Sequence, residues 1–318
     1  VGACDAVFIT GETRFTLDIA CLELRTSAYR RKNGAMRFLP LAFLLFLTAC
    51  VTITGAVTEP FRKRSIVADG WTGRECGSVS GAEYCVYETA PNPRQTVFFF
   101  HGLLDDARVM ERSLADEVDL DTVLNGLGPI RVVVVSFGIS WLITPYSERT
   151  VGPEKATLAN FRDNILPHLE AKFRLPKPYK ALGRSMGGAN LAVICAALPD
   201  LFERCALLNP MLVPDSTDPW LPFWRNRDWR PSFLIVRNYE DPKRWRENRP
   251  SALMRNACKM PPVYVTACQH DDFGLFEGPK EWADEARKKG VKVTLRLVDG
   301  DCNHYRWPAE EVRRFLAE

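Results

Sequence analysis

The segment Gly183-Arg184-Ser185-Met186-Gly187-Gly188 carries the most chemistry for its length. A serine hydroxyl is well placed as a nucleophile on a sharp turn between a strand and a helix, where flanking glycines let neighbouring backbone come close. The apolar run at 179–182 predicts the strand and the run at 189–197 the helix, whose N-terminus favours negative charge where an oxyanion would form. A second segment, His101-Gly102-Leu103-Leu104-Asp105, follows the apolar run 96–100. Acyl transfer needs backbone N–H donors aimed at the developing oxyanion, and here they are expected from Leu103 and Met186, with His101 shaping the loop. A base must follow. Of the four histidines, His168 falls mid-helix after Pro167, whereas His304 stands between the last strand and the last helix, in Asp301-Cys302-Asn303-His304-Tyr305-Arg306-Trp307. An acid that orients the base is expected after the strand at 263–267, where Asp271 and Asp272 compete in Cys268-Gln269-His270-Asp271-Asp272-Phe273. A serine at the nucleophile position excludes the reactions that need an aspartate there, dehalogenation and epoxide hydrolysis.

These residues need a scaffold that brings several loops to one edge. Short apolar runs at 96–100, 130–135, 179–182, 206–208, 263–267 and 291–298, preceded by a strand pattern at 81–88, read as strands buried on both faces. Helical patterns alternate with them: Phe161, Ile165, Leu169 and Phe173 recur on one face, and further helices are expected around 191–195, 282–290 and 307–316. Alternation of this kind predicts an α/β fold, a mostly parallel central sheet with helices on both faces. The stretch at about 210–257 breaks the alternation and holds Trp220, Trp224, Trp229 and Trp245 among its prolines. It reads as an ordered but irregular insertion over the site, with Trp220, Trp224 and Trp229 as candidates to bind substrate.

The chain has 318 residues, 46% of them hydrophobic, which suffices for one large core. A net charge of +3 carries no signal for nucleic acid. At the front, residues 1–35 show no clean period and are expected to be upstream read-through if Met36 is the start. An apolar run at 38–51 is short for a bilayer span and suits a signal peptide at 36–50. It ends in Leu47-Thr48-Ala49-Cys50, which resembles a bacterial lipobox with Cys50 as the lipidated residue. Residues 51–70 read as a tether and 71–318 as the folded domain. The expected location is therefore the cell envelope, with the membrane reached through an N-terminal lipid. Export permits disulfides, and Cys76–Cys85, Cys205–Cys258 and Cys268–Cys302 are the candidate pairs among the ten cysteines.

The segments FFFHGLLDD, NILPHLEAKFRLP, GRSMGGAN, QHDDFGLFEG and DCNHYRWP, spread over about residues 95–318, resemble the putative-esterase family that includes esterase D, S-formylglutathione hydrolase and feruloyl and acetyl-xylan esterases. The resemblance implies the α/β-hydrolase fold, with an insertion after its sixth strand. It also implies hydrolysis of small-molecule or sugar esters through an acyl-enzyme, a triad in the order Ser185, Asp, His304, and no cofactor or metal. It favours Asp272 over Asp271, because related sequences place the acid at that offset after a glycine where this chain has Gln269. Arg184 also departs from the family pattern; it is expected in a salt bridge, with recognition of a substrate carboxylate as the other reading. An acyltransferase on the same scaffold and an inactive envelope binding protein are the alternatives.

Overall fold

Runs of valine and phenylalanine are buried here from both sides. The computed structural model describes residues 8–10, 13–15, 71–111, 118–222, 225, 229–299 and 307–318. It separates into two compact units, Val1–Pro60 and Phe61–Glu318. In the first, β1 (Phe8–Thr10) pairs antiparallel with β2 (Thr13–Phe15). The expected signal peptide, lipobox and tether lie outside the described residues.

The second unit carries the strands β3 (Gly73–Val79), β4 (Ala82–Glu88), β5 (Gln95–Phe100), β6 (Ile130–Ser136), β7 (Tyr179–Arg184), β8 (Arg204–Leu208), β9 (Val263–Cys268) and β10 (Val293–Val298). Among the described residues they form one sheet in the order β10-β9-β8-β7-β5-β6-β4-β3. Every pairing from β6 to β10 is parallel, while β3–β4 and β4–β6 are antiparallel. Side chains of a strand alternate between faces. Accordingly Phe98, Phe100, Val133 and Val135 enter one core layer, and Val97, Phe99, Val132 and Val134 the other. Fully burying one such side chain contributes about 1.5–3 kcal/mol.

Helices cover both layers. They are α1 (Val118–Asn125), a helix α2 that runs from Leu158–Asn160 through a π-helical stretch, Phe161–Ile165, into Leu166–Phe173, and α3 (Met186–Ala197). Then come α4 (Trp229–Asn238), α5 (Pro242–Asn248), α6 (Pro250–Asn256), α7 (Glu277–Lys288) and α8 (Ala309–Ala317). The fold is the expected α/β one, and the break in alternation does follow β8, the sixth strand of the sheet. That segment is more regular than its prolines suggested. Pro242 and Pro250 occupy the first turns of α5 and α6, where the missing N–H costs nothing. Asp241 caps α5 by accepting from the Lys243 and Arg244 N–H groups.

Strand β3 is an addition to the expected elements. It forms a hairpin with β4 that places Cys76 directly opposite Cys85, and the two are disulfide-bonded. Cys268 is also disulfide-bonded, to a partner outside the described residues. The Cys205–Cys258 pair does not form. Cys205 is fully buried and hydrogen-bonds to Cys195 from α3, whereas Cys258 is exposed. Among the described residues no helix is long and apolar enough to cross a membrane.

Candidate active site

Because β5, β7, β8, β9 and β10 run parallel, the loops that leave their carboxyl ends gather on one edge of the sheet. Ser185 stands there alone between β7 and α3, at φ 53° and ψ −118°. A side chain in this left-handed region costs on the order of 1–3 kcal/mol and persists only when its surroundings hold it. They do so through the backbone. The Ser185 N–H donates to the Leu208 carbonyl at 3.0 Å, and its own carbonyl accepts from Met211 N–H at 2.8 Å and Ala189 N–H at 3.2 Å. The glycines that follow are required by close approach. A Cβ on Gly187 would lie 1.9 Å from the Phe100 carbonyl oxygen, and one on Gly183 would lie 2.5 Å from the Gly187 oxygen. The last turn of β5 and the first turn of α3 therefore touch backbone to backbone.

The loop after β5 lies against this turn. A Cβ on Gly102 would be 3.6 Å from the Ser185 Cβ, so the Gly102–Leu103 backbone borders the serine. Leu103 is half-buried on the core, and Met186 opens α3 with its side chain fully buried. His101 is fully buried. The Trp141 indole N–H, which can only donate, points at His101 Nε2 (3.3 Å), leaving Nδ1 to donate to the Gly102 carbonyl (2.7 Å). Ser136 Oγ lies 2.8 Å from Nε2. The imidazole is thus a neutral brace of the loop. On the other side of the loop, Arg184 donates to Asp105 Oδ2 at 2.5 Å, with side chains 2% and 12% exposed. This is the expected salt bridge, made to the loop itself.

The loop after β9 separates the two candidate acids. Asp271 is buried, and its Oδ1 accepts from the N–H groups of Phe273 (2.8 Å) and Leu275 (3.2 Å). Asp272 is exposed, and its carbonyl accepts from the Arg230 guanidinium. His304, the expected base, lies outside the described residues. So does Cys302, while Val298, where β10 ends, pairs with Cys268 at the end of β9. His168 packs beside Tyr84, and His270 is exposed. Of the expected tryptophans, Trp220 packs half-buried on the core, Trp224 lies outside the described residues and Trp229 opens α4. Among the described residues of this segment, Met211, Arg230, Pro231, Phe233 and Leu234 line the cleft beside Ser185, which has a volume of about 120 Å³.

The protein-family model described as "Putative esterase" matches residues 146–314, more than half of the chain. The chain belongs to this family. It is accordingly a serine ester hydrolase with the α/β-hydrolase fold. Solved structures agree on the fold. A Pyrobaculum calidifontis esterase superposes with a TM-score of 0.57 over 83% of this chain and 91% of its own, at 16% identity. A variant of the esterase rPPE gives 0.57 over 92% of both chains, at 17% identity. No curated protein matches the chain by sequence.

In this esterase the Arg184–Asp105 pair has a testable energetic role. Removing one partner of a buried pair leaves an uncompensated charge and costs about 3–5 kcal/mol, whereas replacing both by apolar groups is close to neutral. Arg184→Met is expected to lower unfolding stability by that amount, and Arg184→Met/Asp105→Leu to recover most of it. Urea denaturation of the four proteins of the cycle checks this.

Burial lowers the His101 pKa below its ordinary 6.5, outweighing the opposing pull of Asp105 and the Gly102 hydrogen bond. Below about pH 6.5 the unfolded chain takes a proton that the native ring refuses, so stability falls as pH drops, by up to ~1.4 kcal/mol per pH unit for this one group. His101→Gln is expected to make the decline between pH 6.5 and 5 shallower by that slope. Denaturant titrations at stepped pH measure it.

Proposed function

We propose that the esterase hydrolyses carboxylic esters through an acyl-enzyme on Ser185, with His304 as base and Asp271 as the acid that orients it. The N–H groups of Leu103 and Met186 are the oxyanion donors. The observation that carries this reading is the Ser185 turn, a strained serine at a helix N-terminus with the Gly102–Leu103 backbone beside it. In the first half-reaction the Ser185 oxygen bonds to the ester carbonyl carbon while its proton passes to His304. The tetrahedral oxyanion collapses, the carbon–oxygen bond to the alcohol breaks, and the alcohol leaves with the proton from His304. Water then repeats the sequence on the acyl-enzyme and frees the acid and Ser185.

The family offset favoured Asp272, but three features support Asp271. It is buried; its carboxylate is steered by two backbone N–H groups; and Asp272 is exposed to solvent. Support for His304 comes from the register of β10 on β9, which sends the chain past Val298 out of the same sheet edge as Asp271, and from Trp307, which is buried in the core again. Ser185→Ala is expected to abolish both ester turnover and labelling by a fluorophosphonate. Asp271→Asn keeps the Oδ1 acceptor for the loop but loses the charge facing the base, so kcat should fall on the order of 10⁴-fold. Asp272→Asn should stay within about tenfold of the parent. The reverse order of the two aspartate variants would return the role to Asp272.

We further propose that the esterase is exported and lipidated at Cys50. Beyond the lipobox-like Leu47-Thr48-Ala49-Cys50, the reading is supported by the Cys76–Cys85 disulfide, a bond that persists in oxidising compartments. Mass spectrometry of the mature N-terminus should find a diacylglyceryl mass on Cys50, lost in Cys50→Ser. A mature chain that begins elsewhere without lipid removes the anchor.

A further inference from the structure

Soluble domains bury large apolar side chains where they can, and exposed ones gathered in one place mark a binding surface. Among the described residues, six large apolar side chains are exposed: Leu104, Ile139, Leu221, Phe233, Phe273 and Leu297. Three of them, Leu104 (63% exposed), Phe233 (51%) and Phe273 (37%), line the cleft that holds Ser185. They come from three separate elements: the loop after β5, helix α4 and the loop after β9. A fourth, Ile139, is tied to Leu104 by the bond from the Leu104 N–H to its carbonyl, 2.8 Å. The walls between the serine and this rim are apolar too, with Leu103, Met211 and Leu234 among them.

The polar lining is as informative. Among the described residues, the charged or polar side chains on the cleft besides Ser185 are Arg184, paired with Asp105, and Arg230, whose guanidinium donates to the Asp272 carbonyl. None of the described residues lining the cleft is a carboxylate or an amide that could accept from sugar hydroxyls. A volume of about 120 Å³ is a little below the roughly 150 Å³ of an apolar cavity that takes up benzene, the size of a short alkyl chain or one small ring.

We infer that this cleft binds an apolar group of the ester, an unbranched alkyl chain of about four carbons or an aryl ring of similar width, with Leu104, Phe233 and Phe273 as specificity-determining residues. This rests on the reading of Ser185 as the nucleophile. The apolar group belongs either to the acyl or to the alcohol part, and two substrate series separate these sources. In one, p-nitrophenyl esters run from acetate to octanoate; in the other, alkyl acetates run from methyl to hexyl.

The expected result is a rise in kcat/KM of up to about fourfold per methylene along one series as far as about four carbons. The preference, taken as the ratio of kcat/KM for the four-carbon ester to that for the shortest one, is expected to fall about tenfold in Phe233→Ala and further in Phe233→Ala/Phe273→Ala. Leu104→Asn, which tolerates the φ of 70° at that position, should lower it as well. A flat profile in both series, better hydrolysis of an acetylated sugar than of any alkyl or aryl ester, or variants that keep the parent preference would overturn the inference. In those cases acetate hydrolysis and fluorophosphonate labelling at Ser185 remain, and the esterase reading stands. Loss of all hydrolysis and labelling in the parent protein would remove both.

Discussion

Everything at the candidate site depends on one backbone constraint, the contact between the end of β5 and the first turn of α3. Gly187 lies so close to the Phe100 carbonyl that even a methyl group has no room. This contact brings the loop at 101–105 beside Ser185, as the proposed oxyanion donors from two separate elements require. The positive φ of Ser185 is a consequence of the same packing. The chain must reverse from the sheet into a helix within one residue, and only bonds to Leu208, Met211 and Ala189 keep it there. A rigid turn of this kind stabilises an oxyanion without reorganising when charge appears.

The loop beside that turn is held from both sides by groups that cannot act as acid or base in the reaction. Burial lowers the His101 pKa while Trp141 and the Gly102 carbonyl fix the ring, and Arg184 is paired with Asp105. Two titratable side chains next to the nucleophile are thus committed to supporting its loop, which accords with the proposal of His304 as base. With Arg184 paired to Asp105 and Arg230 bonded to the Asp272 carbonyl, most of the described side chains that line the cleft are aliphatic or aromatic.

Reading the chain as a sequence captured what depends on local pattern. The strands at 96–100, 130–135 and 179–182 stood out because burial on both faces leaves each of them a single threonine or charged side chain, Thr96, Arg131 or Lys180, with the rest apolar or aromatic. The turn at Ser185 stood out because glycine spacing is dictated by backbone contact. Readings that depend on the direction of one side chain are less legible in a sequence. Asp271 and Asp272 are neighbours of the same type, and the N–H groups of Phe273 and Leu275 decide which one turns inward. Prolines at 242 and 250 looked like signs of irregular chain, yet each begins a helix, because proline suits a first turn as well as a loop. Trp220 is half-buried against the core, while Phe233, on the exposed side of α4, lines the cleft, a difference that composition alone does not show.

The segment after β8 shows why the site is divided in this way. Its base is anchored by charge: Asp215 receives Arg249 and Arg255 and accepts from the Ser251 hydroxyl. Its inner side is anchored by Asn238, which accepts from the Leu142 N–H, and by Arg149, which donates to the Leu142, Ala156 and Asn238 carbonyls. Those contacts bind the C-terminal end of α4 to the segment between β6 and α2. Phe233, on an earlier turn of the same helix, is half exposed and faces the cleft, so its side chain can change with little cost to the core. The nucleophile turn tolerates no such change, since a methyl at Gly187 would part β5 from α3. Chemistry and specificity are therefore carried by different kinds of contact, backbone packing for the first and side chains on an added helix for the second.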